Sequence, residues 1–135
     1  MKVNPMALNV TKPSKQRRLL YQSPAHRLRK LLTAPLSEDL RQSQGRRSYP
    51  VRKGDTVKIL RGDFAGIEGK ITKVDTNKQR LFVEGVQREK VAGTSTNVSV
   101  HSSKVIITKL NLDDKWRSDS LKLSPSPARA SEKEK

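Results

Sequence analysis

Five short stretches between residues 56 and 109 alternate apolar, often β-branched residues with polar ones: Thr56-Val-Lys-Ile-Leu60, Lys70-Ile-Thr-Lys-Val74, Arg80-Leu-Phe-Val-Glu84, Asn97-Val-Ser-Val100 and Lys104-Val-Ile-Ile-Thr-Lys109. Such a period of two is the pattern of a strand with one face buried. Strands this short and this closely spaced predict a small curled barrel, which also limits exposed edges. The polar run Asp75-Thr-Asn-Lys-Gln79 predicts an antiparallel hairpin between the second and third strands, with Asn77 free to take a left-handed conformation. Val57, Ile59, Ile71, Phe82, Val98, Val100 and Ile106 are expected in the core, with Val74 and Leu81 at its margin.

The first fifty residues follow a different rule. Prolines at 13, 24, 35 and 50 forbid one long helix and leave room for short ones. Ser23-Pro24 has the form of an N-cap followed by a first helical position, and Leu28, Leu31 and Leu32 give that helix one apolar face. Ser37-Glu38-Asp39 places acids at the positive end of another helix, running to about Ser43. The expected organisation is therefore a basic N-terminal extension over residues 1–50, a barrel with a C-terminal strand and anchor over 51–117, and a disordered tail over 118–135. The barrel is expected to fold even without residues 1–53.

Charge is concentrated in that extension. Residues 1–53 carry 13 basic and 2 acidic side chains, whereas 54–117 carry 12 and 8. The cations cluster as Lys12-Pro-Ser-Lys-Gln-Arg-Arg18, His26-Arg-Leu-Arg-Lys30, Gly45-Arg-Arg47 and Arg52-Lys53. One basic run is commonly a solvated face, but four in a proline-broken arm repel one another until a polyanion neutralises them, which favours nucleic acid phosphates. A membrane surface would ask for a longer amphipathic helix with Trp or Phe on its apolar side, and the arm's aromatics are Tyr21 and Tyr49.

Other functions are disfavoured in turn. The chain has no cysteine, which removes disulfides and thiolate chemistry. With 33% hydrophobic residues, a large enclosed substrate pocket is not expected. The longest apolar runs are far short of the ~20 residues that span a bilayer, so the expectation is a soluble, unprocessed cytoplasmic chain. His26 and His101 have no metal-ligand spacing around them, and Asp113-Asp114 is better read as solvated, or paired with Lys115 and Arg117, than as a cation site. No nucleophile, base and orienting group appear together, so neither an enzyme nor a cofactor is expected.

Gly62, Gly66 and Gly69, in Val57-Lys-Ile-Leu-Arg-Gly62-Asp-Phe-Ala-Gly66-Ile-Glu-Gly69-Lys-Ile71, predict a shaped loop between strands, because glycine permits positive φ and close backbone approach. A phosphate-binding P-loop is ruled out, since Ile71 follows Gly69-Lys70 where Ser or Thr is required. At these residues the sequence resembles the KOW motif of RNA-associated proteins. Gly54-Asp55-Thr-Val57, Val83-Glu-Gly-Val86 and the closing Ile107-Thr-Lys-Leu-Asn-Leu-Asp-Asp-Lys-Trp-Arg117 extend the likeness, as do Lys15-Gln-Arg-Arg18, Ser23-Pro24 with His26, and Ala34-Pro-Leu-Ser37 in the arm. Over roughly residues 12–117 the chain is similar to the L-twenty-four family of large-subunit ribosomal proteins in its archaeal and eukaryotic form. The resemblance implies an SH3-like barrel that binds the 5′ region of large-subunit rRNA early in assembly, beside neighbouring ribosomal proteins, and ends near the polypeptide tunnel exit. Where many relatives carry a Lys just before the second loop glycine, this chain has Ala65.

The residues expected to contact RNA are Arg17, Arg18, Arg27, Arg29, Arg46 and Arg47, whose guanidinium forks suit phosphate, with Lys12, Lys15, Lys30, Arg52 and Lys53 as individually replaceable charges. Arg61, Lys70 and the backbone at Gly62, Gly66 and Gly69 complete the set, with shape and phosphate contacts outweighing base reading. Phe64 either stacks on a base or plugs the barrel's open end. Trp116 is expected to anchor the C-terminal segment on the barrel, with packing against RNA as its other possible role. The alternative function is a KOW-containing transcription elongation factor or RNA chaperone, although such factors generally place a mixed α/β domain where this chain has its arm.

Overall fold

The computed structural model describes residues 10–122. The N-terminal third is a chain of short elements: helix α1 (Pro13–Tyr21), helix α2 (Ala25–Leu31), strand β1 (Thr33–Pro35), helix α3 (Glu38–Gln44) and strand β2 (Ser48–Pro50). Prolines set the joints. Pro13 occupies the first turn of α1, and Pro24 caps α2, its carbonyl accepting from the N–H groups of Arg27 and Leu28. Ser23, expected in that capping role, instead hydrogen-bonds through Oγ to the carbonyl of Leu19. Helix α3 follows Ser37 as expected and ends at Gly45, whose N–H still bonds the Arg41 carbonyl while its φ of +62° turns the chain out of the helix.

The five predicted strands are present as β3 (Thr56–Ile59), β4 (Glu68–Asp75), β5 (Arg80–Glu89), β6 (Ser95–His101) and β7 (Val105–Lys109), followed by helix α4 (Lys115–Lys122). They form one antiparallel sheet in the order β6-β5-β4-β3-β7. Because β6 and β7 are its two edges, the ladder is not closed into a ring, an arrangement compatible with an SH3-like fold. Strand β4 changes partner along its length: Glu68–Lys70 face β3, and Ile71–Asp75 face β5. Strand β5 changes phase at Gly85 (φ +81°), so that burial on odd positions at Leu81 and Val83 passes to the even position Val86. At the crossing of the two strands, a Cβ on Gly69 would lie 2.5 Å from the Glu84 carbonyl oxygen. Gly69 is therefore required by close approach, not by its φ.

The core corrects the expected phase of two strands. Val57, Ile59, Ile71, Leu81 and Val100 are buried, but Phe82 and Ile106 are only half-buried, and Val83, Val105 and Ile107 point inward in their place. Both segments are runs of three apolar residues, so alternation alone carries no phase. Val74 and Val98 pack partly against the core. In the β4–β5 turn the left-handed residue is Gln79 (φ +55°) rather than Asn77, because Asp75 Oδ1 accepts from the N–H groups of both Asn77 and Lys78 at 3.1 Å and shapes the turn first.

The arm is not separate from this core. β1 and β2 pair antiparallel with Ala34 opposite Tyr49, and the Ser37 N–H donates to the Ile107 carbonyl at 2.8 Å. Leu32, Ala34, Leu36, Tyr49 and Val51 are buried in the same cluster as the inward residues of the sheet. Removing residues 1–53 would strip those side chains from the core. Leu28 and Leu32 are buried as expected, while Leu31 remains 49% exposed. The tail boundary at 118 also moves, since α4 runs through Lys122 and buries Leu121. Residues 123–135 lie outside the described residues.

Candidate nucleic-acid interface

Exposed cations dominate α1 and its N-cap: Lys12, Lys15, Arg17 and Arg18 all face solvent, and no residue of this helix is buried. Arg18 Nε donates to Gln22 Oε1 at 3.0 Å, one helical turn on. Across a cleft lined by Leu19, Leu20 and Leu31, α2 contributes half-buried Arg27 and exposed Lys30. Arg29 borders a different cleft, together with Arg52 and Lys53. Arg47 is exposed in the turn before β2, and Lys70 is exposed on β4.

Besides Arg18, two of the expected RNA contacts have partners inside the chain, both in the C-terminal segment. Arg46 Nη2 donates to the Ser120 carbonyl at 2.8 Å, and its guanidinium lies 5.7 Å from the Tyr49 ring centroid. Arg52 pairs with Asp114, and this bond is the first cause holding the Asp114 carboxyl below its usual range, assisted by the Trp116 N–H. Both arginines thus fasten the root of the arm to the C-terminal segment. The anchor of that segment is not Trp116, which is 84% exposed. It is Arg117: Nη1 and Nη2 grip the two oxygens of buried Asp55 at 2.6 and 2.7 Å, and the guanidinium lies 5.3 Å from the Tyr49 ring centroid. An arginine reaches this site where tryptophan was expected because a buried carboxylate at the start of β3 requires a bidentate cation.

The β3–β4 loop presents a second surface. Gly62 (φ +105°) and Gly66 (φ +92°) have open space where a side chain would stand, while the N–H groups of Ala65 and Gly66 are spent on the Gly62 and Ile59 carbonyls. Phe64 packs partly against the core and also lines a groove with Arg61. Arg80, Arg88 and Lys104, which sequence reasoning does not select, line that groove together with His101. They are scattered over β5, β6 and the following turn, and only the pairing of Arg80 with His101 across β5 and β6 brings them together. Arg88 carries an exposed ion pair to Asp63 at 3.1 Å. No cluster of three or more potential metal ligands occurs among the described residues, and no helix there is long and apolar enough to cross a membrane.

Sequence comparison covers the same span as these surfaces. The family of ribosomal proteins L26 (eukaryotic) and L24P (archaeal) matches residues 10–123, arm and sheet together. The chain is 48% identical over 112 residues to the large ribosomal subunit protein uL24 of Korarchaeum cryptofilum, covering 83% of this chain and 86% of that protein. It is 50% identical over 113 residues to uL24 of Saccharolobus solfataricus, covering 84% and 95%, and 50% identical over 111 residues to uL24 of Sulfolobus acidocaldarius, covering 82% and 83%.

Proposed function

Because the chain belongs to the family of eukaryotic L26 and archaeal L24P ribosomal proteins, we propose that its exposed arm cations and its loop groove hold large-subunit rRNA by phosphate and shape contacts. The protein is a structural constituent of the large subunit of the cytoplasmic ribosome, acting by binding to rRNA and ribosomal proteins and not as an enzyme. The carrying observation is the excess of 13 basic over 2 acidic side chains in residues 1–53, with most of those cations exposed along a run of short ordered elements. Partly pre-ordered cations lose less entropy on meeting a folded RNA than a free tail would. A 5′ rRNA site, early entry into assembly and a position near the tunnel exit are the finer form of this reading, supported by the motifs shared along the arm and loop. An elongation-factor role is not favoured, since the family match includes the arm.

The test is sedimentation of tagged protein from gently lysed cells at ~0.1 M and ~0.5 M salt with Mg²⁺ constant, where screening shortens from about 10 Å and strips loosely held cations. Near-stoichiometric comigration with large subunits at both salts is expected. Release into light fractions, or comigration with polymerase, overturns the assignment.

A further inference from the structure

The groove beside the β3–β4 loop differs from the arm in having a fixed aromatic wall. Its volume is about 260 Å³, below the roughly 300–1,000 Å³ of sites that enclose a drug-sized ligand, and it is open along one side. One flat group fits; a duplex does not. Phe64, held by its contact with the core, offers a ring on that wall, and Val98 and Ile59 add apolar surface. Four cations stand around it, Arg61 in the loop, Arg80 and Arg88 on β5 and Lys104 after β6, of which Arg88 is already paired with Asp63 on the same lining.

His101 supplies a directional donor at the same rim. Its Nδ1 accepts from the Ser103 N–H at 3.2 Å, and Ser103 Oγ lies 2.9 Å from the same nitrogen. A backbone N–H can only donate, so in the neutral ring the proton resides on Nε2. The rim therefore combines N–H donors and positive charge, while its wall is aromatic. That is the chemistry of an unpaired nucleotide, a base with a planar π face carrying a phosphate beside it.

We infer that this groove takes a single unstacked RNA nucleotide, its base against Phe64 and its phosphate among Arg61, Arg80, Lys104 and His101 Nε2. Paired RNA keeps its bases inside the helix, so the groove would select a bulge, loop or end, whereas the arm cations serve any phosphate backbone. The inference rests on RNA being the ligand, the reading proposed above. It adds a preference for unpaired nucleotides that charge alone does not produce.

The experiment titrates the full-length ¹⁵N,¹³C-labelled protein with a single-stranded RNA tetranucleotide and in parallel with inorganic tripolyphosphate. Expected with the tetranucleotide are ring-current shifts at the Phe64, Val98 and His101 signals, absent with tripolyphosphate. Phe64→Leu, which keeps apolar volume but removes the π face, should weaken tetranucleotide binding about tenfold, as loss of one base–aromatic stack predicts. Arg80→Gln, on an exposed strand end, should weaken both ligands without disturbing the core signals, and so reports on the groove even if Phe64→Leu proves poorly folded. Shifts confined to α1 and α2, equal responses to the two ligands at Phe64, or no saturable response overturn the inference. Those results leave comigration with large subunits intact, whereas loss of comigration signals failure of the ribosomal reading itself.

Discussion

Arg117 and Asp55, 62 residues apart, form a bidentate ion pair closed off from solvent, with side chains 2% and 0% exposed. Asp55 also accepts from the Arg52 and Asn111 N–H groups at 2.8 and 2.9 Å, and Arg117 donates to the Asn111 and Pro50 carbonyls. One guanidinium thus ties the end of the arm, the first strand of the sheet and the C-terminal helix. Tyr49 reinforces the knot, its hydroxyl lying 2.6 Å from Ser120 Oγ.

Breaking this pair from one side leaves a buried charge without its counterion, which costs about 3–5 kcal/mol. Arg117→Met should lower the urea-unfolding free energy by that amount, out of the ~5–15 kcal/mol typical of a domain. Asp55→Asn should cost a similar amount, because its amide nitrogen would face donors that now meet oxygen. The double variant should lose far less than the sum of the two. Additive losses, or a single-variant cost under about 1 kcal/mol, would remove the pair from the account of stability.

The same pair marks the limit of what could be read in advance. The five strands, the 75–79 hairpin and helix α3 were legible because each rests on local alternation, a turn residue or an acidic first turn. A buried Arg has the same letter as a solvated one, and Trp116-Arg117 offered an aromatic that looked the better anchor. Only the placement of Asp55 beneath Asn111 decides otherwise. The arm's burial had a usable signal in the alternation of Leu32, Ala34 and Leu36, a strand pattern hidden among prolines and charges. Of the groove cations Arg61 was legible from its place in the glycine loop, whereas Arg80 and Lys104 were not, since they reach it only through strand order.

Two loop-region glycines should respond differently to the same substitution. Gly69→Ala drives a methyl group toward the Glu84 carbonyl, a backbone atom that can yield only if β4 and β5 separate, and about 3 kcal/mol is expected. Gly62→Ala meets no neighbour and pays only for its positive φ, about 1–2 kcal/mol. Amide spectra should show Gly69→Ala moving the Val83 and Glu84 signals, while Gly62→Ala perturbs the loop alone. Equal costs with unmoved Glu84 signals would contradict the close-approach argument.

The Asp114 carboxyl should titrate below the ordinary aspartate range of about 3.9, chiefly because Arg52 donates to its ionised form. A depressed folded-state value means that the contribution to stability is present above the unfolded value and lost as pH falls through the folded one. With both side chains about 40% exposed, that contribution is small at neutral pH. Carboxyl carbon shifts followed by NMR give the midpoint directly, and Arg52→Gln should return it upward. An unchanged midpoint in the variant would separate the two residues.

The cations of α1 should set the salt dependence of RNA binding more than those at the arm's root. Lys12, Lys15, Arg17 and Arg18 are exposed, whereas Arg46 and Arg52 already spend donors on Ser120 and Asp114. Each phosphate neutralised contributes roughly −0.7 to −0.9 to the slope of log affinity against log salt. Replacing the four α1 cations by Gln should therefore flatten the slope by about 3–4 units while leaving the unfolding free energy nearly unchanged, since none of these side chains is buried. Arg46→Gln or Arg52→Gln should leave the slope nearly unchanged, well short of the ~0.7–0.9 of a full phosphate contact, and lower stability as well. Isotherms for isolated large-subunit rRNA at four or five salt concentrations decide the matter: a slope unaltered by the α1 changes would place the phosphate contacts elsewhere on the chain.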